Sequence, residues 1–117
     1  MDKIQNVYNK GEPEIQAVIE KEGMNFIGLC GIRRNNGYEL VYRFMQKYWG
    51  KGYATEAAKA TLIHAINHLH LSEVYALIDS SNIGSVYVAE KIGMQTTSNT
   101  QILLYKYQKD FLTDKNC

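Results

Sequence analysis

The stretch Trp49-Gly50-Lys51-Gly52-Tyr53-Ala54-Thr55-Glu56-Ala57 limits what this chain can fold into more than any other. It stands between a strand-like run, Glu39-Leu40-Val41-Tyr42-Arg43-Phe44, and a helical stripe that continues to about Leu69. Gly50 and Gly52 permit a sharp turn and a close approach of backbone to a ligand. The first helical turn after them carries N–H groups with no intrahelical acceptor, and the helix dipole favours negative charge there. Such a junction can hold a diphosphate. It can equally be a plain connector. It is not a Walker loop, because no Gly-Lys-Ser/Thr follows the spacer, and it lacks the third glycine of the dinucleotide fingerprint.

Around this junction the hydrophobic periods lay out a mixed fold. Residues 14–20 read as a strand ending at Lys21-Glu22-Gly23, and residues 25–33 as a buried strand. Asn35-Asn36-Gly37 supplies a hairpin turn, since Asn and Gly tolerate positive φ. Residues 38–44 complete a three-stranded meander. Ala54, Ala58, Leu62, Ala65 and Leu69 then recur at helical spacing. Glu73-Val74-Tyr75-Ala76-Leu77-Ile78 is a short apolar strand. Ser80-Ser81-Asn82 offers N-caps for a second helix, which carries Val86, Ala89 and Ile92 on one face and stops at Gly93. Strands near 94–97 and 101–108 close the order. The expected class is α/β (α+β): a mixed, mostly antiparallel sheet with two helices, in one domain over residues 1–117.

Charge and composition exclude several functions. Thirteen basic and twelve acidic side chains leave a net charge of +1, with no basic stripe for nucleic acid. No apolar run is long enough to span a bilayer, and Met1-Asp2-Lys3-Ile4-Gln5-Asn6 has no signal-peptide core. Cys30 and Cys117 sit in no metal or redox spacing; reduced thiols and a cytoplasmic location are the expectation. His64 and His68 share a helical face without a third ligand, so that face is read as solvated and no metal is expected.

The residues resemble the GNAT superfamily of acyl-CoA N-acyltransferases. The superfamily's cofactor motif, Q/R-x-x-G-x-G/A, falls on Trp49-x-x-Gly52-x-Ala54. A second block, Asn82-x-x-Ser85 followed by Glu90-Lys91-Ile92-Gly93-Met94, is similar to that of the branch containing ribosomal-protein N-terminal acetyltransferases. The resemblance covers roughly residues 14–108. Three departures accompany it. Trp49 stands where Gln or Arg is usual. Ala89 occupies the place of a tyrosine general acid, four residues before Gly93. The family begins with a strand and two helices that shape the acceptor pocket, and the dozen or so residues ahead of the strand at 14–20 are too few for them. An N-terminally truncated core is therefore expected.

The resemblance implies acetyl-CoA as donor and an amine, either a protein N-terminus or a small molecule, as acceptor. It assigns diphosphate binding to Gly50, Lys51, Gly52, Tyr53, Ala54 and Thr55, and pairing with the pantetheine arm to the backbone near Phe44 and Met45. Glu39 is the implied base, as in related Glu-Ile-Val-Phe strands; a solvated charge or a partner of Arg43 is the alternative. Ser85 is the implied thiolate partner, or else a helix hydroxyl bonded to backbone. Asn82 touches pantetheine or serves as an N-cap. The expected function is direct N-acetyl transfer. The competing expectation is a catalytically inert module that binds CoA or self-associates. In either case uncovered sheet and groove favour a homodimer.

Overall fold

The computed structural model describes residues 4–6 and 14–108. In chain order these form β1 (Ile4–Asn6), β2 (Ile15–Glu20), β3 (Asn25–Arg34), β4 (Tyr38–Phe44), a 3-10 turn (Gln46–Tyr48), α1 (Tyr53–Asn67), β5 (Glu73–Asp79), α2 (Ile83–Lys91) and β6 (Ile102–Gln108). The six strands make one sheet in sequence order. Every neighbouring pair is antiparallel except β4 and β5. That exception follows from connectivity. A tight turn reverses the chain, whereas α1 carries it back across the sheet so that β5 starts in the same direction as β4.

Two expectations are corrected. A strand precedes residues 14–20 after all: Ile4–Asn6 pairs with β2 through Ile4↔Glu20 to Asn6↔Val18. The run at 94–97 is not a strand but a single bridge, Gln95↔Lys106, closed by reciprocal backbone bonds of 2.9 and 2.8 Å. Gly93, at φ 97, and Met94 still bond back to the Glu90 and Ala89 carbonyls of the helix exit, so Gln95 is the first residue free to pair with β6.

The core follows the pleat. Cross-strand partners share a face, and the register pairs Cys30 with Tyr42, Ile32 with Leu40, and Ala76 with Tyr105. Val74 and Ile78 lie on that same face. Against it pack Ala57, Ala58, Leu62 and Ala65 of α1 and Val88 and Ala89 of α2. Small side chains on α1 let its backbone lie close to the sheet. A bulge between Val18 and Ile19 leaves Ile27 without a β2 partner, and Ile27 is fully buried beside Gly28. On the opposite face Ile15, Leu29, Leu77 and Ile102 remain 37–51% exposed, so neither helix covers them.

No helix among the described residues is long and apolar enough to cross a membrane. No group of His, Cys, Asp or Glu among the described residues could hold a metal ion. His64 and His68 stack on each other with ring centres 5.0 Å apart. Burial pushes the Cys30 thiol up to about 12, so it is an un-ionised core group.

Candidate active site

β4 and β5 share a single residue pair, Glu39↔Tyr75. Past it the two parallel strands diverge, so their facing peptide groups have no cross-strand partner. A cleft of about 1440 Å³ opens between their C-terminal ends. Drug-sized pockets run to roughly 300–1,000 Å³, so this one has room for a long ligand. Its position also fits a general rule: open α/β sheets bind ligands beyond the carboxyl ends of strands, where the topology switches.

The glycine turn closes one end of the cleft. Gly50 has φ 77 and Gly52, the N-cap of α1, has φ 83, both in the left-handed region. A Cβ on Gly50 would meet nothing within 4 Å, so conformation rather than crowding requires glycine there. No side chain caps α1. Glu56 makes the first intrahelical bond, to the Gly52 carbonyl at 3.0 Å. Among the described residues no acceptor takes the N–H of Gly50, Gly52, Tyr53, Ala54 or Thr55. The turn therefore presents a set of unengaged donors at the positive end of a fifteen-residue helix.

The structure brings most of the expected site residues to this cleft. Glu39 and Phe44 line it from β4, Gly50, Gly52, Tyr53, Ala54 and Thr55 from the turn, and Asn82 and Ser85 from the start of α2. Met45 and Lys51 do not line it. The Met45 N–H donates to the Ile27 carbonyl at 3.0 Å, and the Phe44 carbonyl accepts the Trp49 indole N–H at 2.7 Å. Those two groups are engaged within the protein, so a ligand's peptide-like groups must meet β4 earlier in the strand. Lys51 places its ammonium over the Tyr48 ring, 5.8 Å from the centre. Tyr53 lines the cleft but donates its hydroxyl to Glu20 at 3.0 Å.

Glu39 is only 6% exposed. Its Oε1 accepts from Arg33 Nε at 3.1 Å, Arg33 Nη2 at 2.8 Å and Asn35 Nδ2 at 3.2 Å. Its ionic partner is therefore Arg33, not Arg43, because the β3–β4 register sets Arg33 directly opposite. Oε2 accepts no bond from the described residues. At the other wall Asn82 caps α2, its Oδ1 accepting from the Ser85 N–H at 3.1 Å. The Ser85 carbonyl accepts from the Tyr42 hydroxyl at 2.7 Å. The Ser85 hydroxyl itself bonds to none of the described residues. Tyr42 thus ties β4 to the first turn of α2 across the open seam. Burial raises its phenol well above the ordinary value, which keeps it a donor at neutral pH. Sequence reasoning placed Tyr42 in the strand-like run 39–44 but gave it no role; its bond to Ser85, 43 residues on, carries no local signal. Ala89, at the position of the family's tyrosine acid, is fully buried.

Comparison with known proteins defines the family. The sequence model of the acetyltransferase (GNAT) domain matches residues 2–95, and the chain belongs to that family. The uncharacterized protein YkkB of Bacillus subtilis (strain 168) is 41% identical over 80 residues, covering 64% of this chain and 46% of YkkB. Spermidine N(1)-acetyltransferase of Escherichia coli (strain K12) is 23% identical over 99 residues, covering 78% of this chain and 52% of that protein. The crystal structure of an acetyltransferase from Agrobacterium tumefaciens str. C58 superposes with TM-score 0.75 at 28% identity, covering 83% of this chain and 61% of that one. The chain spans about half the length of the curated relatives it matches.

Proposed function

We propose that the chain binds acetyl-CoA in the β4–β5 cleft and transfers the acetyl group directly to a primary amine. One observation carries the reading. An unzipped parallel seam ends on a glycine turn whose donors are unengaged. A diphosphate fits the turn, and an amide-bearing arm fits between strands that lack cross-strand partners. Leu40, Val41 and Tyr42 of β4 supply that edge, while Gly50, Gly52, Tyr53, Ala54 and Thr55 supply the turn. The alternative to catalysis is an inert module that binds CoA or self-associates without turnover.

Transfer forms a C–N bond and breaks the thioester C–S bond. The ammonium must first lose a proton, and the sulfur leaves as thiolate. Glu39 takes the ammonium proton on its free Oε2, with Arg33 and Asn35 holding the other oxygen in place. The Ser85 hydroxyl, unbonded in the protein, donates to the departing sulfur, and the Tyr42 bond fixes the turn that carries it. No side chain here has the surroundings of an activated nucleophile, so transfer is direct. Calorimetry with CoA, followed by thiol release from acetyl-CoA over a panel of amines, tests the reading. Micromolar CoA binding with amine-dependent thiol release supports it. Binding without thiol release favours the inert module, and no heat at millimolar CoA removes both.

A further inference from the structure

Arg43 and Asp79 stand in a relation that the roles above do not use. The last paired residues of the seam are Glu39 and Tyr75. Arg43 lies four positions beyond Glu39, and Asp79 four positions beyond Tyr75. Side chains alternate along a strand, so both lie on the face of Glu39 and Tyr75, away from the helices. In an unbroken parallel ladder they would be direct neighbours, with strands about 4.8 Å apart. The divergence of β4 from β5 parts them. Among the described residues no ion pair joins them, and Arg43 forms none with any other carboxylate. Both line the cleft.

The two groups are charged, and no ion pair among the described residues neutralises either. Asp79 accepts the Ser81 N–H at 2.9 Å and the Ser81 hydroxyl at 2.7 Å. Those bonds hold its carboxyl below the usual range, so it is anionic at neutral pH. Arg33, the other guanidinium on this face of the seam, is already spent on Glu39. Among the described residues, the seam therefore ends in a cation on β4 and an anion on β5 that form no ion pair and both line the cleft.

Resting on the acetyl-transfer reading, we propose that the acceptor is an amine carrying a second, anionic group, a carboxylate or a phosphate. Arg43 binds the anion, and Asp79 attracts the ammonium end as it enters. A neutral alkylamine leaves the guanidinium without a partner. A diamine brings a second positive charge against it. Arg43 suits the task because its planar fork matches carboxylate and phosphate oxygens in pairs.

The test is an equilibrium titration of the CoA-saturated protein with 4-aminobutyrate, 2-aminoethyl phosphate, butylamine and putrescine. The anionic amines are expected to bind about tenfold more tightly than butylamine, the gain of a charge-assisted pair at a partly exposed site. Putrescine is expected to bind no better than butylamine. Arg43→Gln should erase the advantage while leaving CoA affinity and the melting temperature unchanged; Arg43→Lys should keep part of it. The two anionic arms separate carboxylate from phosphate. Equal binding of all four amines overturns the proposal, as does failure of the anionic amines to bind at millimolar concentration. So does an Arg43→Gln variant that loses CoA and keeps the wild-type order of amines. Because binding is read without turnover, an inactive enzyme that still ranks the amines this way counts against acetyl transfer alone. If CoA does not bind, the same titration of the protein by itself still ranks them.

Discussion

The seam between β3 and β4 and the seam between β4 and β5 use the same strand in opposite ways. On one edge β4 pairs with β3 through seven successive residues, from Gly28↔Phe44 to Arg34↔Tyr38. On its other edge it meets β5 at Glu39↔Tyr75 alone. The closed seam is tight enough to need glycine. A Cβ on Gly28 would stand 2.4 Å from the Arg43 carbonyl oxygen. On the other edge of β3, a Cβ on Gly31 would stand 2.0 Å from the Glu14 carbonyl oxygen. The open seam is loose, and its glycines serve backbone conformation instead. Stability thus resides in the meander. The unpaired peptide groups, the free donors of the turn and the separated charges all collect at the seam left open.

The two kinds of glycine give the largest contrast. Gly31→Ala should cost about 3 kcal/mol of stability through overpacking against backbone, read by denaturant unfolding, while the folded fraction keeps its CoA affinity. Gly52→Val should do the reverse. The left-handed conformation costs a side chain roughly 1–2 kcal/mol, but CoA binding should vanish at any accessible concentration. If Gly31→Ala destroys CoA binding in the folded protein, or Gly52→Val retains it, the division between seams is wrong.

Glu39 sits where the seams meet, paired across the closed one and lining the open one. Glu39→Gln should lower turnover about a hundredfold, the low end for loss of a general base, with CoA affinity unchanged. Its stability cost should be about 1 kcal/mol, because Arg33 is half exposed. A variant that turns over like wild type would make the glutamate a strand-pairing residue only. Tyr42→Phe should have the smallest effect. Losing one hydroxyl-to-carbonyl bond costs about 1 kcal/mol, and the rise in KM for acetyl-CoA should exceed the drop in kcat. Equal loss in both parameters would place the hydroxyl in the chemical step.

The same contrast explains what the sequence revealed. The glycine turn, the α1 stripe and the Asn82 cap are local signals, written within one or two turns of chain, and all three appear in the structure. The three-strand meander was equally readable, because hairpin turns connect neighbours. What escaped depends on register between distant segments. Arg33 rather than Arg43 pairs with Glu39 because of a β3–β4 alignment set by the turn at Asn35 to Gly37. The Met45 N–H is turned toward Ile27 because the β3–β4 ladder continues one bond past Gly28↔Phe44. β1 is three residues long, too short for a pattern. The divergence of β4 from β5, on which the site depends, is a property of two strands separated by a whole helix.

Amide hydrogen exchange with and without CoA tests the central claim most directly. If the open seam is the cofactor site, CoA should slow exchange at Gly50, Gly52, Tyr53, Ala54 and Thr55 and along the facing edges of β4 and β5, while β2 and β3 keep their rates. Protection confined to β1, β6 or the exposed sheet face, or no protection at the glycine turn under saturating CoA, would contradict the account.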